Sequence, residues 1–192
     1  MEDILKGAIS ACWLFLLAWW AISAWGNKSA VRGEPWLTRV VLYWLPLALA
    51  FALLGPNAWF RGTWLVEAFV PHTDPVFALS LVLVASGVAL ACWARYLLGK
   101  NWSSVVQIKQ GHELIEAGPY RYIRHPIYTG LLLAFVGSAL KVGDVRGIIA
   151  VAIVFVSFWR KLRMEERMLG ETFGDAYVAY RGRTKALIPG VL

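Results

Sequence analysis

Cysteine is almost missing from this chain. Cys12 and Cys92 are the two present in 192 residues, each inside an apolar run and neither with a cysteine or histidine partner at metal-ligand spacing. Neither a disulfide framework nor a zinc site is supported, and both thiols read as packing groups. Charge is also scarce, at 16% of residues. The net charge of +7 invites a nucleic-acid partner, yet no soluble basic domain is present to carry one. Positive-inside bias and attraction to anionic lipid account for the excess, and nucleic acid is set aside as a partner. Internal repeats and low-complexity tracts are absent. The first apolar stretch begins close to the N-terminus, runs long and lacks an Ala-x-Ala-like exit before a polar domain. It reads as a retained helix and not as a cleaved signal peptide.

What is abundant is apolar surface. Hydrophobic residues make up 59% of the chain, with 11 Trp and a mean hydropathy of +0.58, too apolar for a soluble protein of this size. The expected class is an all-α integral membrane protein of one domain, with three N-terminal spans in residues 1–98 and a second half in residues 99–192. Apolar stretches cover residues 4–25, 40–60, 76–98, 127–140 and 148–159. The first three reach the roughly 20 residues that a bilayer requires. The last two hold 14 and 12 residues and read as a helical hairpin turning at Lys141-Val142-Gly143-Asp144, crossing obliquely or only dipping in. About five transmembrane helices result.

Charge orients the spans. In a five-span layout, 15 of the 19 Lys and Arg fall on one side, leaving Lys6, Arg61, Lys141 and Arg146 on the other. The positive-inside rule then puts the loops after the first and third spans, and the C-terminal tail, in the cytoplasm.

Two segments on that side carry polar chemistry. Residues 99–112 contain Ser103-Ser104-Val105-Val106-Gln107-Ile108, a short extended piece, followed by a Lys109-Gln110-Gly111 turn. Glu113 to Gly118 then reads as one helical turn closed by glycine. The tail continues the fifth span as a charged helix from Arg160 to Leu169. Phe173-Gly174-Asp175 breaks it, and Ala176 to Arg181 forms a further amphipathic turn or two.

The densest cluster is Gly118-Pro119-Tyr120-Arg121-Tyr122-Ile123-Arg124-His125-Pro126-Ile127-Tyr128-Thr129-Gly130. Pro126 is placed to start the fourth span with His125 at its N-cap, so free backbone donors and the positive dipole end favour an anion beside Arg124 and His125. The same residues also fit lipid headgroup contacts and an interfacial belt of Tyr120, Tyr122 and Tyr128. In the tail, Lys161 and Glu165 share a helix face, either as an i,i+4 bridge or as a carboxylate for ligand hydroxyls or amine with a cation one turn earlier for a substrate anion.

Gly-x-Tyr-x-x-x-Arg-His-Pro-x-Tyr-x-Gly, a hydrophobic hairpin, Glu165-Glu166 and Phe173-Gly174-Asp175-x-Tyr177-x-x-Tyr180 together resemble the isoprenylcysteine carboxyl methyltransferase family, most closely its small five-span prokaryotic members. The likeness covers residues 98–192, including Asn101-Trp102-Ser103 and Gly111-His112-x-Leu114, while the first 95 residues match in hydrophobic layout only. The resemblance implies an S-adenosylmethionine pocket on the cytoplasmic side, closed by the C-terminal helical tail and opening laterally to lipid. Carried over by position, Gln107, His112, Leu114, Ile115, Tyr120, His125, Pro126, Tyr128 and Glu165 line the cofactor site. The candidate catalytic cations are Lys161, Arg124 and Arg163. Lys161 stands where the family has an arginine, four residues before the first of the paired glutamates, and a lysine lacks the bidentate fork. The implied activity is methyl transfer to a lipophilic or prenylated acceptor at the membrane. Arg-His-Pro-x-Tyr is also similar to motifs of phospholipid N-methyltransferases and membrane sterol reductases. A phospholipid, amine or thiol methyltransferase and an NADPH-dependent reductase are therefore the alternatives.

Overall fold

The computed structural model of the chain describes residues 1–23, 30–33, 35–99, 102, 107–109 and 114–191. Helix α1 (Glu2–Ser23) is followed by α2 (Trp36–Arg39), which passes through a π-helical turn (Val40–Trp44) into α3 (Leu45–Leu53). Then come α4 (Asp74–Leu98), α5 (Pro126–Val142), α6 (Val145–Phe173) and α7 (Asp175–Arg183). Among the described residues, three helical stretches are long and apolar enough to cross a membrane: Glu2–Ser23, Trp36–Leu53 and Asp74–Leu98. α5 is apolar but shorter. α6, at 29 residues, reaches about 43 Å and outruns the roughly 30 Å hydrocarbon layer, so its charged last third projects beyond it.

Local chemistry sets these ends. Pro126 opens α5 and Gly143, at φ +73°, closes it in the left-handed conformation that costs glycine least. Asp144 then stands at the N-cap position of α6, which gives the hairpin at the expected residues. The second span differs from expectation: it begins at Trp36 and ends at Leu53, because Gly55-Pro56 stops a helix even though Ala58, Trp59 and Phe60 prolong the apolar run. The π turn precedes Pro46, which brings no N–H for the Leu42 carbonyl four residues back. Ser157 on α6 donates to that carbonyl at 2.9 Å.

Close packing holds the bundle together. α4 and α5 run antiparallel with backbones nearly touching, since a Cβ placed on Gly130 would lie 2.5 Å from the Gly87 carbonyl oxygen and 2.8 Å from the Ala91 nitrogen. α1 lies along α4, α3 along α6, and α5 along α6. At one end of the bundle Arg146 donates to both carboxylate oxygens of buried Asp144 at 2.9 Å and to the Gly55 carbonyl at 2.7 Å. This ties the hairpin turn to the end of α3.

The helical architecture carries one addition. A two-stranded antiparallel ribbon pairs β1 (Ala30–Gly33) with β2 (Gln107–Lys109), in register Arg32 to Ile108 and Gly33 to Gln107. β2 is the end of the extended piece read from the sequence. The helical turn expected before Gly118 is not formed: Leu114 to Glu116 are irregular, and a 3₁₀ turn begins at Gly118 (φ +58°) instead. Pro119 starts that turn, so the glycine opens it and does not close one.

Candidate functional site

The opposite end of the bundle is polar, and its elements converge on the start of α5. Arg124 N–H donates to the Lys185 carbonyl at 2.8 Å and His125 N–H to the Ala186 carbonyl at 3.0 Å, while Thr129 Oγ1 donates to the Leu187 carbonyl at 2.7 Å. The chain after α7 is thereby laced along the α5 N-terminus. Tyr180 on α7 donates to the Tyr120 carbonyl at 2.7 Å, which fastens the 3₁₀ turn beneath it.

Within this frame the cationic motif meets the paired glutamates. Arg124 Nε donates to Glu166 Oε1 at 2.7 Å and its Nη1 to the Thr184 carbonyl at 2.5 Å. Each side chain is 9% exposed. His125 lies between the two carboxylates, with Nδ1 3.6 Å from Glu165 Oε2 and Nε2 3.4 Å from Glu166 Oε1. Tyr128 donates its hydroxyl to Glu165 Oε1 at 2.6 Å. Its ring stacks on His125 at 5.5 Å and on Phe158 at 4.9 Å. The anion beside Arg124 and His125 is thus the protein's own Glu166.

Electrostatics follow from this geometry. Burial alone would lower the His125 pKa, but the flanking Glu165 and Glu166 outweigh it and raise it above the ordinary histidine value. Burial works against the ionised form of Glu166, yet His125 and Arg124 hold its pKa down at about 2. Glu165 is also lowered, against burial, by His125, Lys161 and Tyr128.

A cavity of about 600 Å³ opens beside the cluster. Its polar end carries Tyr120, Arg124, His125, Tyr128, Lys161 and Glu165, with Leu114 and Ile115 on one wall and Met168, Leu169, Tyr177 and Tyr180 of the tail on another. From there an apolar arm runs down between α1, α3, α5 and α6 past Trp20, Trp44, Leu47 and Leu131. Leu17 and Trp44 line the cavity and are also 59% and 56% exposed, so the arm borders the lipid face.

Most of the expected site residues are gathered here. Leu114, Ile115, Tyr120, His125, Tyr128 and Glu165 all line the cavity. Pro126 is buried at the first position of α5, where it shapes the helix start without facing the cavity. Gln107 lies in β2, and only its backbone is described. His112 lies outside the described residues. Among the expected cations, Lys161 lies in the cavity wall, its ammonium 5.0 Å from the Tyr43 ring centre and 5.5 Å from that of Tyr128. Arg124 touches the cavity but its guanidinium is committed to Glu166 and the tail. Arg163, two residues beyond Lys161, is rotated by about 200° to the exposed face of α6 and is not part of the lining.

Glu166 and the aromatic arm are not among the residues the sequence marks as the site. The arm has no readable signal, because its aromatic residues stand in spans that are apolar on every face.

Comparison with known proteins places these features. The family model described as phospholipid methyltransferase matches residues 75–176, just over half of the chain. A protein of Oryza sativa subsp. indica named "Probable protein-S-isoprenylcysteine O-methyltransferase" is 30% identical over 150 residues, covering 74% of each chain. The protein-S-isoprenylcysteine O-methyltransferase of Schizosaccharomyces pombe is 29% identical over 118 residues, 56% of this chain and 50% of the relative. That of Mus musculus is 27% identical over 148 residues, 74% of this chain and 52% of the relative. This chain thus spans about half the length of several curated relatives it matches. The solved structure of the eukaryotic intramembrane Ras methyltransferase, isoprenylcysteine carboxyl methyltransferase, superposes with a TM-score of 0.65 at 20% identity, covering 99% of this chain and 68% of that one. That likeness is one of fold.

Proposed function

We propose, from the premise that this chain belongs to the phospholipid methyltransferase family and within it to the isoprenylcysteine carboxyl methyltransferases, that it methylates a lipophilic acceptor bearing a carboxylate, using S-adenosylmethionine. The observation that carries this reading is a single cavity with a charged, hydrogen-bonding end and a long apolar arm beside the lipid face. A soluble, zwitterionic donor and a lipid acceptor need those two environments side by side.

The residues suit the donor. Glu165 keeps about a quarter of its side chain exposed and still has lone pairs to offer after accepting from Tyr128, which fits an amine or ribose hydroxyls. The Tyr120 and Tyr128 rings offer faces that favour a cation. Gln107 and His112 belong to the proposed set by resemblance. When bound, S-adenosylmethionine supplies a methyl group already activated on a sulfonium.

With such a donor and an ionised acceptor, a dedicated general base is unnecessary. The protein's part is alignment and removal of water. Lys161 holds the acceptor's anion one helical turn from Glu165 as a point charge, not through an arginine fork. It also disfavours a cationic amine headgroup, which ranks a carboxylate acceptor above a phospholipid amine. Arg124 and Glu166 brace the wall. The catalytic end faces the cytoplasm, where the basic loops and tail lie.

Two measurements test this. Calorimetry on the detergent-purified protein is expected to show saturable S-adenosylhomocysteine binding, weakened about 10- to 100-fold by Glu165→Gln, the loss of a charged hydrogen bond of about 1.5–3 kcal/mol. Binding of NADPH in its place would overturn the reading. Radiolabelled methyl transfer across prenylcysteines, prenyl thiols and phospholipid amines is expected to favour the carboxylates. Label appearing only in amines would refute the acceptor assignment.

A further inference from the structure

The apolar arm has a built end. Along each of three helices the cavity-lining residues can be followed inward from the polar cluster: Trp20, Leu17, Leu16 and Trp13 on α1; Leu47, Ala48 and Phe51 on α3; Tyr128, Leu131 and Phe135 on α5. The innermost residue of every series is aromatic, and the three rings meet. The centroids of Trp13 and Phe51, Trp13 and Phe135, and Phe51 and Phe135 are each 5.1 Å apart, at edge or tilted angles. Such a contact is a closed wall and leaves no room for a chain to pass.

The wall is also held in place. Trp13 Nε1 donates to Ser138 Oγ at 2.9 Å, and Ser138 Oγ donates to the Ala134 carbonyl at 2.9 Å. Swinging the indole aside would leave its N–H unpaired in a hydrocarbon environment, so the ring is pinned where it stands. Phe135 is 1% exposed behind it. Seven residues of α5 separate Tyr128 from Phe135, which puts the wall about 10 Å beyond the polar end.

We infer that the Trp13–Phe51–Phe135 cluster is a length gauge that fixes how long a hydrocarbon chain the acceptor carries. The inference rests on the acceptor reading above. Phe51 is 42% exposed and forms the lipid-side edge of the wall, whereas Trp13 and Phe135 form its floor. A chain longer than the arm must therefore displace a pinned ring or leave sideways into lipid.

The test compares kcat/KM for two acceptors with the same cysteine carboxylate head, one geranyl, whose extended chain is about as long as the arm, and one farnesyl, an isoprene unit longer. The native protein is expected to favour the shorter. Trp13→Ala is expected to move the ratio toward the longer by about tenfold or more, the discrimination that a few methylene groups give in an apolar pocket. Ser138→Ala, which frees the indole, is expected to move it the same way by less. Leu131→Phe, filling the arm one turn nearer the polar end, moves it in the opposite direction and keeps the test decisive where Trp13→Ala does not fold. Ratios unchanged in Trp13→Ala and Leu131→Phe, with turnover present, would mean that long chains simply exit into lipid and the gauge does not exist. Absence of turnover on both acceptors by the native protein, while S-adenosylhomocysteine still binds, overturns the acceptor reading itself and the gauge with it.

Discussion

Glu165 and Glu166 are adjacent, yet the fold employs them differently. Glu166 is locked to Arg124 and the tail, whereas Glu165 keeps an exposed edge on the cavity with Lys161 one turn away. Lys161→Met is therefore expected to lower kcat/KM for a carboxylate acceptor by about tenfold or more while the protein still binds S-adenosylhomocysteine, since a charged contact is worth about 1.5–3 kcal/mol. Loss of donor binding with an unchanged acceptor KM would place the lysine on the donor instead. The cluster also sets a pH response. The His125 pKa is raised on folding, so its contribution is full below the ordinary value of 6.5 and is lost as pH rises through the raised value. The Glu166 pKa falls from 4.5 to about 2, so its contribution is full above 4.5 and is lost toward pH 2. Thermal melts of the purified protein are expected to plateau between those two ordinary values and to decline on the alkaline side. His125→Gln removes the alkaline decline. A curve of unchanged shape in that variant would show that another group titrates. Sequence alone marks Arg124, His125 and Glu165 through their types and spacing. It does not tell that Arg124 belongs to Glu166, because that pairing depends on how α6 returns along α5.

At the scale of elements, small residues decide where helices meet. A methyl group added at Gly130 collides with the Gly87 carbonyl and the Ala91 nitrogen, both backbone atoms that cannot rotate away. Gly130→Ala is expected to cost about 1–3 kcal/mol through overpacking, read as a lower melting temperature. Gly7→Ala on α1, with nothing within 4 Å of the added carbon, is the matched control and is expected to be neutral or slightly stabilising. Equal effects at both positions would mean that propensity, not the α4–α5 seam, governs stability. Element ends were legible at three proline or glycine punctuations: Pro126, Gly143 and Gly174 stand at helix boundaries as read. The end of the second span was not, because apolar residues continue past Gly55-Pro56 and hydropathy outlasts the helix. The β1–β2 ribbon was half legible. Its strand at Gln107 reads as extended, but its partner lies more than 70 residues earlier, and no local pattern announces such a pairing.

Taken whole, the molecule is a bundle with two unlike ends. Lys6 lies over the Phe77 ring and Arg146 over Phe60 at one end, while Arg95, Arg124, Lys161 and Arg183 gather at the other. These are the ends that the five-span layout assigns to opposite sides of the bilayer, and that layout counts 15 of the 19 basic residues on the side of Arg124 and Lys161. An asymmetry of that size orients a multi-span protein with its basic end inward. It also fits the proposed chemistry, in which a charged, water-soluble donor enters from the aqueous side that holds it and the acceptor from the lipid. Single cysteines report the orientation in a Cys12→Ala, Cys92→Ala background, because Arg61 and Arg167 are both exposed and sit at opposite ends. In intact cells a membrane-impermeant maleimide is expected to label Arg61→Cys and to reach Arg167→Cys only after the membrane is opened. The reverse pattern would turn the cavity outward, and a donor confined to the cytoplasm would then have no path to Glu165.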